Sequence, residues 1–173
     1  MSYLRELILA EHSKNQRDRI ISYIGTDKEK VAELMSLFFA DEDPKIRQRA
    51  AYVVGFLEDI HYGILQPFYS RMVQNLSVKG HHNAIVRNTI RVVKERPLSE
   101  DDAGLIIDQC FKYLEDNSVK VAIRAWSLEA IYYHGNQYAE LMEELKLMIE
   151  DHLPYALPAY KTKARGVLKK LSN

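Results

Sequence analysis

The stretch DEDPKIRQRAAYVVGFL, Asp41 to Leu57, decides how the rest of the chain is read. An acidic turn runs into a proline, which is the chemistry of a helix start. Asp41 stands six residues before Arg47, Ile46 sits directly ahead of the arginine, and small residues follow. The same order returns in HHNAIVRNTIRVV, His81 to Val93, with Val86–Arg87 in the place of Ile46–Arg47 and His81 in the place of Asp41. DNSVKVAIRAWSLEAI, Asp116 to Ile131, repeats it less closely around Arg124, and PAYKTKARGVLKKL closes the series around Arg165.

Working outward, period-two alternation is almost absent and a 3.6-residue period dominates, which predicts helices throughout. Turn and cap chemistry breaks the pattern at GTDKEK, DEDP, HYG, KGHH, ERPLSEDD, EDNS, HGNQ and LPYALP. About ten helices result, and they pair. The first members of the full pairs start near Asp27, Gly63, Ser99 and Asn136, spaced 36, 36 and 37 residues apart. A further pair covers residues 2–12 and 13–24. A fixed period of this size predicts an all-α solenoid of about five antiparallel helix pairs in one domain, residues 1–173. No pair can bury its own apolar face, so neighbours must stack.

The recurring Asp, Val/Ile–Arg and small-residue pattern resembles the HEAT repeats of the armadillo/HEAT superfamily. The match sharpens at QRAAYVVGFLED, VRNTIRVV, VAIRAWSLEAIYY and ELMEELKLMIEDHLP. Together these segments are similar to small bacterial HEAT-like proteins typical of Bacteroidetes, to which no reaction is attached. The resemblance implies a right-handed α-α superhelix. It also implies an Asp/Arg ladder joining repeats, and second helices that line an inner face.

The bulk composition agrees with a folded domain. The 173 residues are 47% hydrophobic and 28% charged, with 24 Lys+Arg balancing 24 Asp+Glu. No apolar run reaches the roughly eighteen residues of a membrane span. The start, MSYLRELILAEHSKNQ, lacks signal-peptide character, so a soluble cytoplasmic protein is expected. Cys110 stands alone in an apolar run and reads as a buried structural thiol. No HExxH, CxxC, Gly-x-Ser-x-Gly or phosphate-binding glycine loop occurs, and Glu58–His61 is a single Glu-x-x-His. No catalytic residue, metal or cofactor is expected. The histidines fall mostly at predicted helix ends, where they read as caps.

Charge segregation is the informative feature. Second helices assigned to 13–24, 43–58, 82–96, 117–133 and 156–172 hold seventeen of the 24 bases and five of the 24 acids. They therefore carry +12, and the remainder of the chain carries −12. Arg47 and Arg87 sit in the first halves of their helices, where the helix dipole disfavours cations. One reading makes these bases a structural ladder. The other makes Arg47, Arg49, Arg87, Arg91, Lys94, Arg124, Lys161, Lys163 and Arg165 a basic inner groove for an acidic protein segment, which is the partner expected for a non-catalytic binding or scaffold protein. The alternative partner is nucleic acid, since bacterial alkylpurine DNA glycosylases are also HEAT-like with a basic face. Here Asp18 and Asp43 are the acids available near that face, and both read as caps. Trp126 and Tyr160 are read as core.

Overall fold

The computed structural model describes residues 2–173, and Met1 lies outside them. The described residues form ten α-helices and two 3-10 turns, with no strand among them. In order the helices are α1 (Tyr3–Ala10), α2 (Lys14–Ile24), α3 (Lys28–Ala40), α4 (Pro44–Ile60), α5 (Tyr69–Asn75), α6 (Asn83–Val93), α7 (Glu100–Glu115), α8 (Val121–Gly135), α9 (Ala139–His152) and α10 (Pro158–Leu171). This is a helical solenoid of about five pairs, as the spacing predicts. No described helix is long and apolar enough to cross a membrane.

Helix starts follow from local chemistry. Ser2, Ser13, Asp27, Asp43 and Ser99 each accept a hydrogen bond from a backbone N–H in the first turn that follows. Three boundaries differ from the sequence expectation. The first helix of the third pair begins at Tyr69 and not near Gly63, because Pro67 lacks an N–H and biases Gln66 away from the helix. A short 3-10 turn, Gln66–Phe68, fills the gap. Helix α6 stops at Val93, so Lys94 and Arg96 lie in the turn before Pro97. Helix α8 starts at Val121, because the Asp116 carboxylate takes the N–H and the hydroxyl of Ser118 and holds a turn there.

The described residues divide into two compact units. One comprises residues 2–69 and 80–92, the other residues 70–79 and 93–173. In the first, α3 buries Val31, Leu34, Met35 and Phe38 at helical spacing. Helix α4 packs against α1, α2 and α3 and is buried over a much wider arc, from Ile46 to Glu58. Gly55 allows part of that packing: a Cβ there would run into the side chain of Asn88, which is itself buried and bonded to the Ala84 carbonyl. In the second unit α8 packs against α7, α9 and α10. Its core includes Cys110, Leu114, Leu128, Ile131, Leu145, Ile149 and Tyr160. Burying each large apolar side chain contributes about 1.5–3 kcal/mol.

The segment after α4 is fastened by one carboxylate. Glu58 is fully buried. Its Oε1 accepts from Gly63 N–H at 2.9 Å and from the Tyr69 hydroxyl, and its Oε2 accepts from Leu65 N–H at 3.1 Å. Gly63 sits at φ +80°, the left-handed conformation that glycine adopts without strain, and this turns its N–H back toward Glu58. The carboxylate of the Glu58-x-x-His61 pair thus serves the backbone.

Candidate functional site

In the first unit, Arg47 on α4 places Nη2 3.1 Å from Nδ1 of His81, so the imidazole accepts from the guanidinium. Arg5, on the first helix of its pair rather than the second, donates from Nε to Asp41 at 3.0 Å. This bond holds the Asp41 carboxyl below its ordinary range. Asp41 and His81 thus both accept from an arginine, but Asp41 from a first helix and His81 from a second. Their charges differ: Arg5–Asp41 is an ion pair, whereas Arg47–His81 is a cation on an imidazole.

Arg49 donates from Nη1 to the carbonyls of Ile8 and Leu9, at 3.0 and 2.8 Å. It caps the negative end of α1. Arg91 pairs with Asp59, and its guanidinium lies 4.0 Å from the centre of the Phe56 ring. Arg17 approaches the same ring at 3.7 Å, pairs with Asp18 at 2.6 Å and donates to the Tyr52 hydroxyl. One aromatic ring thus ties α2, α4 and α6. Arg87 is exposed, and its side chain makes no hydrogen bond or ion pair among the described residues.

In the second unit, Glu129 on α8 lies between Lys163 at 2.8 Å and Lys94 at 2.9 Å. Burial opposes charge on this carboxyl, but the bonds to Lys163 and Lys94 outweigh it and hold Glu129 below its ordinary value. Lys94 also reaches Glu95 at 3.1 Å. Lys161 and Arg165 stand one turn apart on α10 and have no carboxylate partner among the described residues. Arg124 repeats the Arg47 arrangement. Its Nη2 donates to the Leu114 carbonyl at 3.2 Å and lies 3.3 Å from Nδ1 of His152. The Tyr160 hydroxyl lies 3.2 Å from the same nitrogen. Burial and the adjacent Arg124 hold the His152 imidazole below its ordinary value, so it is neutral near pH 7. Asp151 pulls weakly the other way. A cleft of about 500 Å³ opens beside Arg124, His152 and Tyr160.

The nine bases picked from the sequence therefore fall into two groups. Arg91, Lys94 and Lys163 have carboxylate partners. Arg47, Arg49 and Arg124 bond only to carbonyls or imidazoles, while exposed Arg87 and Arg165 and half-buried Lys161 make no hydrogen bond or ion pair among the described residues. Each group is spread over both units.

The other candidates also resolve. His82 caps α6, accepting from Ala84 N–H at 3.1 Å, and His61 ends α4 through its backbone. His134 departs from the capping expectation: Nε2 donates to the carbonyl of Val93, 41 residues away, and burial lowers its pKa. Asp43 caps α4, whereas Asp18 pairs with Arg17 and leaves the capping of α2 to Ser13. Burial pushes the Cys110 thiol up to about 12, the state of an unreactive core cysteine. Tyr160 is core; Trp126 is half-buried.

Sequence reasoning missed Phe56 and His152. The spacing of Tyr52 and Phe56, one turn apart on a basic helix, was the available sign for the first. His152 carried none, since it lies 28 residues after Arg124 and outside the repeat period.

No curated protein and no solved structure matches the chain. A family model described as HEAT repeat domain matches residues 4–171. That span covers every helix from α2 to α10 and nearly all of α1, and the chain belongs to the HEAT-repeat family.

Proposed function

We propose that this protein is a non-catalytic binding module that engages an acidic segment of a partner protein. One observation carries the reading: of the nine bases on the second helices and their ends, six have no carboxylate partner among the described residues. Arg47, Arg49 and Arg87 belong to the first unit, and Arg124, Lys161 and Arg165 to the second. The Arg5–Asp41 pair cancels its own charge. At Arg47 and Arg124 histidine takes the acceptor position, so no carboxylate bonds to either guanidinium, although Asp116 acts on Arg124 through space. Such unpaired charge of one sign raises local potential and speeds encounter with an opposite charge.

The discriminating experiment uses the charge-reversed variant Arg87→Glu/Lys161→Glu/Arg165→Glu. These three side chains make no hydrogen bond or ion pair among the described residues, and Arg87 and Arg165 are exposed, so folding is expected to persist, and circular dichroism checks it. Binding of a fluorescent oligoglutamate peptide is compared with duplex and single-stranded oligonucleotides at about 50 and about 200 mM salt. The peptide should bind the parent chain and lose at least about tenfold on reversal. Equal peptide binding by both chains overturns the reading. Tighter, steeply salt-dependent oligonucleotide binding replaces it with the nucleic-acid alternative.

A further inference from the structure

The cleft beside Arg124 has a cationic floor and an apolar rim. The floor is Arg124, His152 and Tyr160. Arg124 donates to Nδ1 of His152, so the neutral imidazole keeps its proton on Nε2, as a further donor. The Nε of Arg124 is shielded from solvent and lacks a hydrogen-bond partner among the described residues, which leaves this half-buried guanidinium under-used. At the rim, Tyr155 is 91% exposed and Leu157 60% exposed, with Val119 and Val121 opposite. Helices α8 and α10 both begin at this cleft without a side-chain cap, and their first N–H groups add to the positive character. Asp151 is the one acid of the lining, and it is exposed.

We infer that this cleft binds one carboxylate carried next to an apolar side chain: the carboxylate on Arg124 and His152, the apolar group between Tyr155 and Leu157. The inference deepens the function proposed above and rests on it, because Arg124 is among the bases assigned there. The chemistry of the lining favours this ligand over others. A bare inorganic anion would leave the rim idle, and an uncharged apolar group would cover the half-buried guanidinium without supplying a bonded counter-charge. A cleft of about 500 Å³ holds a fragment of that size and not an extended segment.

The test is an NMR titration of the full chain, following the His152 ring resonances, with three probes. N-acetyl-L-phenylalanine presents a terminal carboxylate, acetyl-Leu-Glu-Leu-amide a side-chain carboxylate, and acetyl-L-phenylalanine amide neither. At least one of the two acids should shift the His152 resonances and raise its pKa, and the stronger of the two identifies the source of the carboxylate. The amide should bind at least about tenfold more weakly, since a charge-assisted bond is worth about 1.5–3 kcal/mol. Arg124→Gln should abolish the difference between acid and amide. Tyr155→Ala changes a fully exposed side chain, leaves packing intact and should weaken both acids. Asp151→Asn should tighten them. Equal binding of acid and amide, or no movement of His152 at saturating acid, overturns the inference. An oligoglutamate peptide that still binds in that case, and still loses affinity in the Arg87/Lys161/Arg165 reversal, shows that the cleft assignment alone has failed.

Discussion

Replacing Glu58 should cost more than replacing any other acid of the chain. In Glu58→Ala, Leu65 N–H and the Tyr69 hydroxyl lose their acceptor in a buried environment, and Gly63 N–H loses it in a half-buried one. A buried donor left unpaired costs about 1–3 kcal/mol. Two fully buried donors, with water able to reach Gly63, put the total at about 3–5 kcal/mol, a large part of the roughly 5–15 kcal/mol that holds a domain together. Glu58→Gln should be milder. Its carbonyl can stand where Oε1 accepts from Gly63 and Tyr69, but its amide then meets Leu65 N–H donor to donor, for about 1.5–3 kcal/mol. Tyr69→Phe removes one bond and should cost about 1 kcal/mol alone and much less in the Glu58→Ala background. Urea unfolding gives the free energies, and hydrogen exchange at Gly63 and Leu65 reports the local loss. A Glu58→Ala cost below about 1 kcal/mol, or additive Tyr69→Phe and Glu58→Ala, refutes the idea that this carboxylate fastens residues 61–69.

Gly55→Ala should destabilise by about 1–3 kcal/mol in a thermal melt, although glycine to alanine in an open helix gains up to about 1, because the new methyl must displace Asn88. His134 and His152 both titrate below 6.5 in the folded chain. The unfolded chain then binds more protons between the folded pKa values and 6.5, so stability should rise with pH across that window and level off above it, as a urea series across pH will show. Glu129 behaves in the opposite chemical sense but the same direction: its stabilisation is present above 4.5 and is lost as pH falls through its lowered folded pKa, and Glu129→Gln should flatten that limb. Cys110 should resist iodoacetamide at neutral pH and react at the rate of unfolding, which mass spectrometry follows.

The repeat was legible because it is written in local chemistry. Ser13, Asp27, Asp43 and Ser99 cap the helices they precede, and Asp27 and Ser99 stand two 36-residue periods apart. The short α5 was also written locally, in Pro67, but the 36-residue spacing argued more loudly for a full helix from Gly63. The bases of the candidate site were legible as an excess of charge. Which of them are neutralised was not, since Arg91 meets Asp59 from 32 residues away and Lys163 meets Glu129 from 34. His81 aligns with Asp41 in the sequence, yet Arg47 of a second helix reaches His81 and Arg5 of a first helix reaches Asp41. His152 ends α9 and meets Arg124 from 28 residues away, a distance outside the repeat period.

The ring of Phe56 with Arg17 and Arg91 has a consequence for how the first unit answers its surroundings. Asp18 and Asp59, the counter-charges of these arginines, are 48% and 45% exposed. Dissolved ions can stand in for exposed carboxylates, but nothing in solution can stand in for the ring face that the two guanidiniums share. The first unit is therefore built to keep α2, α4 and α6 together in brine. Neutralising Asp18 or Asp59 should therefore loosen the first unit less than replacing the Phe56 ring by an aliphatic side chain.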